Sequence, residues 1–124
     1  MSPARTATVI TLCLRVAYGG ALLAAPERLA RRWLGPQAGS APTQVPLRGM
    51  GAREIVLHGG ALAAALSGAP LRPWLAGSIA GDLTDLAATV VGREQLPKGS
   101  VMVTSIVAGA SALLSAALAV AVPR

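Results

Sequence analysis

Four apolar stretches, at about residues 6–25, 47–67, 74–92 and 101–122, each run close to the roughly 20 residues a helix needs to cross a bilayer core. Breakers separate them: Pro26, the "GPQAGSAPTQVP" stretch at 35–46, "SGAPLRP" at 67–73 and "GREQLPKGS" at 92–100. Strands do not suit these stretches, because Ala, Leu and Gly dominate and none alternates with period two along its length. A water-facing surface for four such helices would need charge, and only 13% of the 124 residues are charged, against roughly 25% in soluble domains. A soluble helical bundle rich in Ala and Leu is the competing reading; the scarcity of charge favours the membrane. The expected fold is therefore all-α: one domain, 1–124, forming a four-transmembrane-helix up-down bundle with short antiparallel connections. Residues 6–25 also resemble a signal peptide, but Arg15 in the middle of its apolar region argues against cleavage. The single Cys13 excludes a disulfide within the chain.

The first connection carries a pattern of its own. "PERLARRWL" (26–34) opens with proline at a suitable first helical position, sets Glu27 four residues before Arg31, and places Leu29 and Trp33 on one side. These features predict a short amphipathic helix in the headgroup layer, with Trp33 as interface anchor and the arginines toward anionic lipid. Trp74 is expected to mark the opposite interface. Arg28, Arg31, Arg32 and Arg48 at the first connection and Arg93 and Lys98 at the third outnumber Arg5, Arg72 and Arg124 on the other side, so both termini are expected outside a cell membrane. The formal net charge of +6 does not indicate nucleic acid, since two Trp, one Tyr and no extended basic helix offer no recognition surface.

Ionisable residues inside the spans are costly at the bilayer centre, by about 2.5 to 3.5 kcal/mol each, so they are expected to face one another or a polar cavity. Arg15, His58 and Asp82 fall near mid-span, and Arg53, Glu54 and Asp85 lie roughly one turn toward the first and third connections. On the third span Ser78, Asp82, Asp85 and Thr89 form one polar stripe, flanked by the small Gly77, Gly81 and Ala88. Thr104, Ala108, Ser111 and Ser115 form a small and polar face on the fourth. Glu54 and His58 share a face of the second span, with Arg53 about 100° away. Asp82 and Asp85 thus read as the acidic wall of a polar interior. Two arginines against three carboxyls leave one acid without a cation. Arg53 is the expected principal partner of the aspartates, Asp85 being nearer in depth and Asp82 shared with Arg15. Glu54 is the expected surplus acid, carrying a proton, because Arg53 points to another face.

"APERLARRWLG", "LRGMGAREIVLHGGAL" and "WLAGSIAGDLTDLAATVVGR" together resemble a family of small uncharacterised bacterial membrane proteins of four helices, and the layout is similar to that of DoxX-like proteins. The resemblance runs from about Val16 to Arg93. It implies a bacterial inner-membrane location and a four-helix fold, and no established activity. The positions it carries over are Arg53, Glu54, Asp82 and Asp85; His58 stands where the resemblance implies a small or apolar residue.

Glu54, Asp82 and Asp85 are candidate acid/base groups for isomerising, cyclising or hydrolysing a lipid- or terpenoid-like substrate, because a low-dielectric site can keep one carboxyl protonated beside an ionised one. The structural alternative is that Arg15 and Arg53 neutralise them as ion pairs, with His58 and Ser78 completing a ligand-binding or purely structural polar core. Metal binding would want more nitrogen or sulfur ligands, and bis-histidine haem is impossible with one His, so no metal or cofactor is expected. No phosphate loop, dinucleotide fingerprint or zinc motif occurs. The leading expectation is a small membrane protein that binds a lipophilic ligand or serves as an accessory subunit. The expected partners are the lipid bilayer, a lipophilic small molecule, and a second copy or another membrane protein. An intramembrane acid/base enzyme is the alternative, and a proton-coupled transporter the third reading.

Overall fold

The computed structural model describes residues 2–122. Its helices are α1 (Pro3–Ala24), α2 (Pro26–Leu34), α3 (Ala41–Ser67), α4 (Arg72–Val91) and α5 (Ser100–Ala121), with 3-10 turns at Gly35–Gly39 and Arg93–Gln95. No strand occurs among the described residues, as expected of an all-α chain. By length and composition α1 and α5 are apolar enough to cross a membrane. α3 and α4 are long enough, at 27 and 20 residues, but carry Arg48, Arg53, Glu54, Asp82 and Asp85, which lower their hydropathy. Arg124, counted for orientation, lies outside the described residues.

Local chemistry accounts for the ends. Pro3 and Pro26 open α1 and α2 where the missing N–H has no helical partner, and the Ser2 hydroxyl caps α1 by accepting from the Arg5 N–H at 3.2 Å. Gly68 closes α3 in the left-handed region at φ 76°, which glycine adopts without Cβ strain. α3 starts at Ala41 rather than near Leu47: Pro42 fits the first turn, and Pro46, close behind it, removes one backbone hydrogen bond near an end where several are already missing. The stretch expected as a long breaker is thus a 3-10 turn followed by helix.

The four long helices run antiparallel to their neighbours in sequence. Arg5 reaches the Ala65 carbonyl from α1 to α3, His58 meets Ser78 from α3 to α4, and Arg72 reaches the Ala119 carbonyl from α4 to α5. α1 and α3 touch most closely at Gly19 and Gly51, where a Cβ on either would lie 2.7 Å from the other's carbonyl oxygen. A similar close approach seats the Trp74 ring on Gly60. Trp74, expected at an interface, is therefore packed between α3 and α4.

Packing along the helices is layered. Leu12, Ala61, Ala65, Leu71, Leu75 and Leu118 fill the end away from α2; Ala30, Ala38 and Leu47 fill the α2 end. Between these lies a layer in which Glu54, His58, Ser78 and Asp82 are all buried. The exterior has the opposite character: Leu14, Val56, Leu66, Leu83, Ile106 and Leu113, spread over all four long helices, are each more than half exposed. Soluble domains mostly bury such residues; here large apolar side chains cover the outside of the helices while Glu54, His58 and Asp82 lie within.

Candidate functional site

The middle layer is organised by Arg15. Its guanidinium projects from α1 and donates to Glu54 on α3, with Nη2 3.1 Å from Oε2 and Nε 3.2 Å from the same oxygen. It also donates to Asp82 on α4, Nη2 to Oδ1 at 3.1 Å, and to the Ser111 hydroxyl on α5. One side chain thereby joins four helices, which suits a planar fork of donors better than a single ammonium. Arg53 sits beside it and donates from Nη2 to Asp85 Oδ2 at 3.1 Å, with Glu54 Oε1 farther away at 3.7 Å. Its guanidinium lies over Gly81, where a Cβ would come within 3.5 Å.

His58 completes the layer from α3. Its Nδ1 lies 2.9 Å from the Glu54 carbonyl oxygen and 3.1 Å from Glu54 Oε2; both only accept, so Nδ1 carries the proton. Nε2 lies 2.9 Å from Ser78 Oγ, which can donate to it, so a neutral imidazole satisfies every contact. With the ring 1% exposed, His58 is a buried link between α3 and α4.

The candidate residues Arg15, Arg53, Glu54, His58, Ser78, Asp82 and Asp85 thus come together, but two pairings differ from expectation. Glu54, expected to lack a cation, is the acid with the most cationic neighbours, because the long Arg15 side chain crosses from α1 to reach it. Asp82 is held by Arg15 and not shared with Arg53, which meets Asp85 as expected. Sequence reasoning also missed Tyr18, and it placed Ser111 on a polar face without a role. The available signal was depth: Ser111 lies near the middle of α5, as Arg15 does of α1.

A cavity of about 320 Å³ opens above this layer, within the range of small-molecule sites. Its floor is polar: Arg15, Tyr18, Glu54, Asp82, Asp85 and Ser111. Its walls are apolar: Leu14 from α1, Leu29 and Trp33 from α2, and Val103, Val107 and Ala108 from α5. α1 and α5 are the one adjacent pair of long helices that hardly touch, and a shallower hollow bounded by Thr11, Leu14, Ala110 and Leu114 continues along that seam. Leu14 and Val107, at the rim, are 66% and 61% exposed. The cavity therefore opens sideways between two helices rather than along the helix axes.

α2 roofs the cavity at one end. The Trp33 indole N–H donates to the Thr89 hydroxyl at 2.8 Å, and Ser100 donates to the Trp33 carbonyl at 2.7 Å, tying α2 to α4 and α5. Trp33 thus faces inward, whereas an interface anchor would face lipid. Glu27 and Arg31 form the expected pair, and Arg28, Arg31 and Arg32 are exposed on the outer side. No group of three or more potential metal ligands occurs among the described residues. Comparison with family models, curated proteins and solved structures finds no match to this chain.

Proposed function

We propose that the chain is a multi-pass membrane protein whose four long helices all span the bilayer as an up-down bundle, and that it holds a lipophilic ligand in the cavity between α1 and α5. The observation that carries this reading is the cavity itself: apolar walls, a polar floor of paired charges, and an opening toward the surface that lipid would cover. Membrane insertion of α3 and α4 is supported by their mid-helix Glu54, His58 and Asp82, which are buried, while Val56, Leu66 and Leu83 point outward. The exposed Arg28, Arg31, Arg32, Arg48, Arg93 and Lys98 gather at the α2 side, which would be cytoplasmic, leaving both termini outside. The resemblance to small four-helix bacterial membrane proteins accords with this arrangement. Acid/base catalysis has less support, because arginine already holds Glu54 and Asp82 as ion pairs.

The test is mass spectrometry of the protein purified from membranes into phosphatidylcholine nanodiscs, compared with Ala108→Phe, which fills the cavity. A bound lipophile in the wild type that is lost from a folded variant supports the reading. Equal complements of bound lipophile, or none in either, would refute it.

A further inference from the structure

Two polar groups on the cavity floor, and the Thr104 hydroxyl beside them, have no hydrogen-bond partner among the described residues. The Asp85 carboxylate gives one oxygen, Oδ2, to Arg53, while Oδ1 accepts no hydrogen bond among the described residues. The Tyr18 hydroxyl likewise has no partner there, although both residues line the cavity. By contrast, the donors of Arg15 are distributed over Glu54, Asp82 and Ser111.

The charge of the layer points the same way. Three carboxyl groups face two guanidiniums, and His58 satisfies its contacts as a neutral ring and does not line the cavity, so with all three acids ionised the layer is one positive charge short. Asp85 is the most exposed of the three acids, at 25% of its side chain against 6% and 7% for Glu54 and Asp82, and its arginine is itself 35% exposed. An anionic ligand would add to this surplus and find the Arg15 donors of the floor occupied, with only the Tyr18 and Thr104 hydroxyls there free to donate. A neutral alcohol could hydrogen-bond to Tyr18 and Asp85 but would leave the charge uncompensated. A protonated amine does both, since it carries a positive charge and donates only.

Resting on the ligand-binding reading above, we infer that the cavity takes a lipophilic amine, which reaches it sideways from the bilayer through the α1–α5 opening. Its ammonium group sits on the Asp85 carboxylate and the Tyr18 hydroxyl, and its chain lies against Leu14, Leu29, Val103 and Val107. The surplus charge then becomes a recognition element: the layer is complete when the ligand is present.

The experiment uses the full chain in phosphatidylcholine nanodiscs with Trp74→Phe, leaving Trp33 in the cavity wall as the one indole. Bromodecylamine, bromodecanol and bromodecanoate are titrated at matched mole fraction, and quenching of Trp33 is recorded. The expected result is saturable quenching by the amine at an affinity about tenfold or more above that of the alcohol, the ratio a charge-assisted hydrogen bond supplies. Decanoate should be weakest. Asp85→Asn should erase the preference for amine over alcohol while alcohol binding persists, which shows that the variant is folded. Tyr18→Phe, which keeps the shape of the wall, should weaken the amine several-fold. Equal binding of amine and alcohol, or a preference for decanoate, would overturn the inference and leave the ligand-binding reading standing. Quenching that fails to saturate with all three probes on a folded protein would overturn both.

Discussion

A guanidinium that donates to α3, α4 and α5 at once cannot be removed without stranding Asp82 and leaving Glu54 to His58 and a more distant Arg53. Loss of one partner from such a buried set costs about 3 to 5 kcal/mol, most of it from the unpaired charge left behind. Arg15→Ala is therefore expected to destabilise by that amount, read from the midpoint of detergent-induced unfolding in mixed micelles. Arg53→Ala should cost clearly less, because its side chain is 35% exposed and Asp85 is 25% exposed, against 17% for Arg15 and 6% for Glu54. A larger loss for Arg53 would place the organising cation on the wrong helix. Arg15→Lys should recover only part of the stability, since a single ammonium cannot reproduce the planar fork. The depth of these residues was legible from the sequence: Arg15, His58 and Asp82 were placed at mid-span by counting along antiparallel helices. The pairing was legible in part: Arg53 with Asp85 and Arg15 with Asp82 were expected, but Arg15 with Glu54 was not, because spacing fixes the direction of a side chain on its own helix, whereas pairing depends on how a third helix leans. That is why Glu54, judged against Arg53 beside it, was read as unpaired although Arg15 lies across the α1–α3 contact.

Helices succeed or fail in this chain by how closely they approach. At Gly19 and Gly51 a methyl group would meet the opposing backbone at 2.7 Å, and backbone cannot rotate away as a side chain tip can. Gly51→Ala should cost about 1 to 3 kcal/mol through forced separation of α1 and α3. Gly49→Ala, two residues away with nothing within 4 Å of its would-be Cβ, should be neutral or slightly stabilising through better helix propensity. Equal effects in thermal unfolding would remove the contact from the account. α2 is held differently, by polar contacts from Trp33 to Thr89 and Ser100. Thr89→Val keeps the shape and loses the hydroxyl; the expected cost is about 1 kcal/mol. Faster amide exchange in α2, with exchange elsewhere unchanged, would show it. The existence of α2 could be read from Pro26 and the Glu27 to Arg31 spacing, which are local signals. Its inward-facing tryptophan could not, because an indole suits an interface and a wall equally well, and only the position of Thr89 decides between them. The early start of α3 was hidden by Pro42 and Pro46, residues that stop a helix from within but are tolerated near its beginning.

For the molecule as a whole, four spans and two spans predict different surfaces. In a Cys13→Ala background, single cysteines at Ser2, Gln37, Ser67 and Glu94 should label from outside cells at Ser2 and Ser67 only. If α1 and α5 alone crossed the membrane, Ser67 would share the side of Gln37 and Glu94, and that result would end the four-span proposal. The all-helical architecture was legible because it follows from composition and periodicity. The cavity was not, since it arises from a gap between α1 and α5, whose residues are far apart in the chain. The reach of Arg15 also imposes an order in time. Its partners lie 39 and 67 residues farther along, so a ribosome delivers the arginine long before it delivers the acids. On the membrane reading proposed above, α1 carries during that interval an uncompensated cation worth roughly 2.5 to 3.5 kcal/mol against insertion. The first helix should therefore linger beside the insertion machinery until α3 and α4 have been synthesised. Nascent chains stalled with only α1 outside the ribosome should crosslink to that machinery through α1, and chains extended until α3 and α4 have also emerged should have released it.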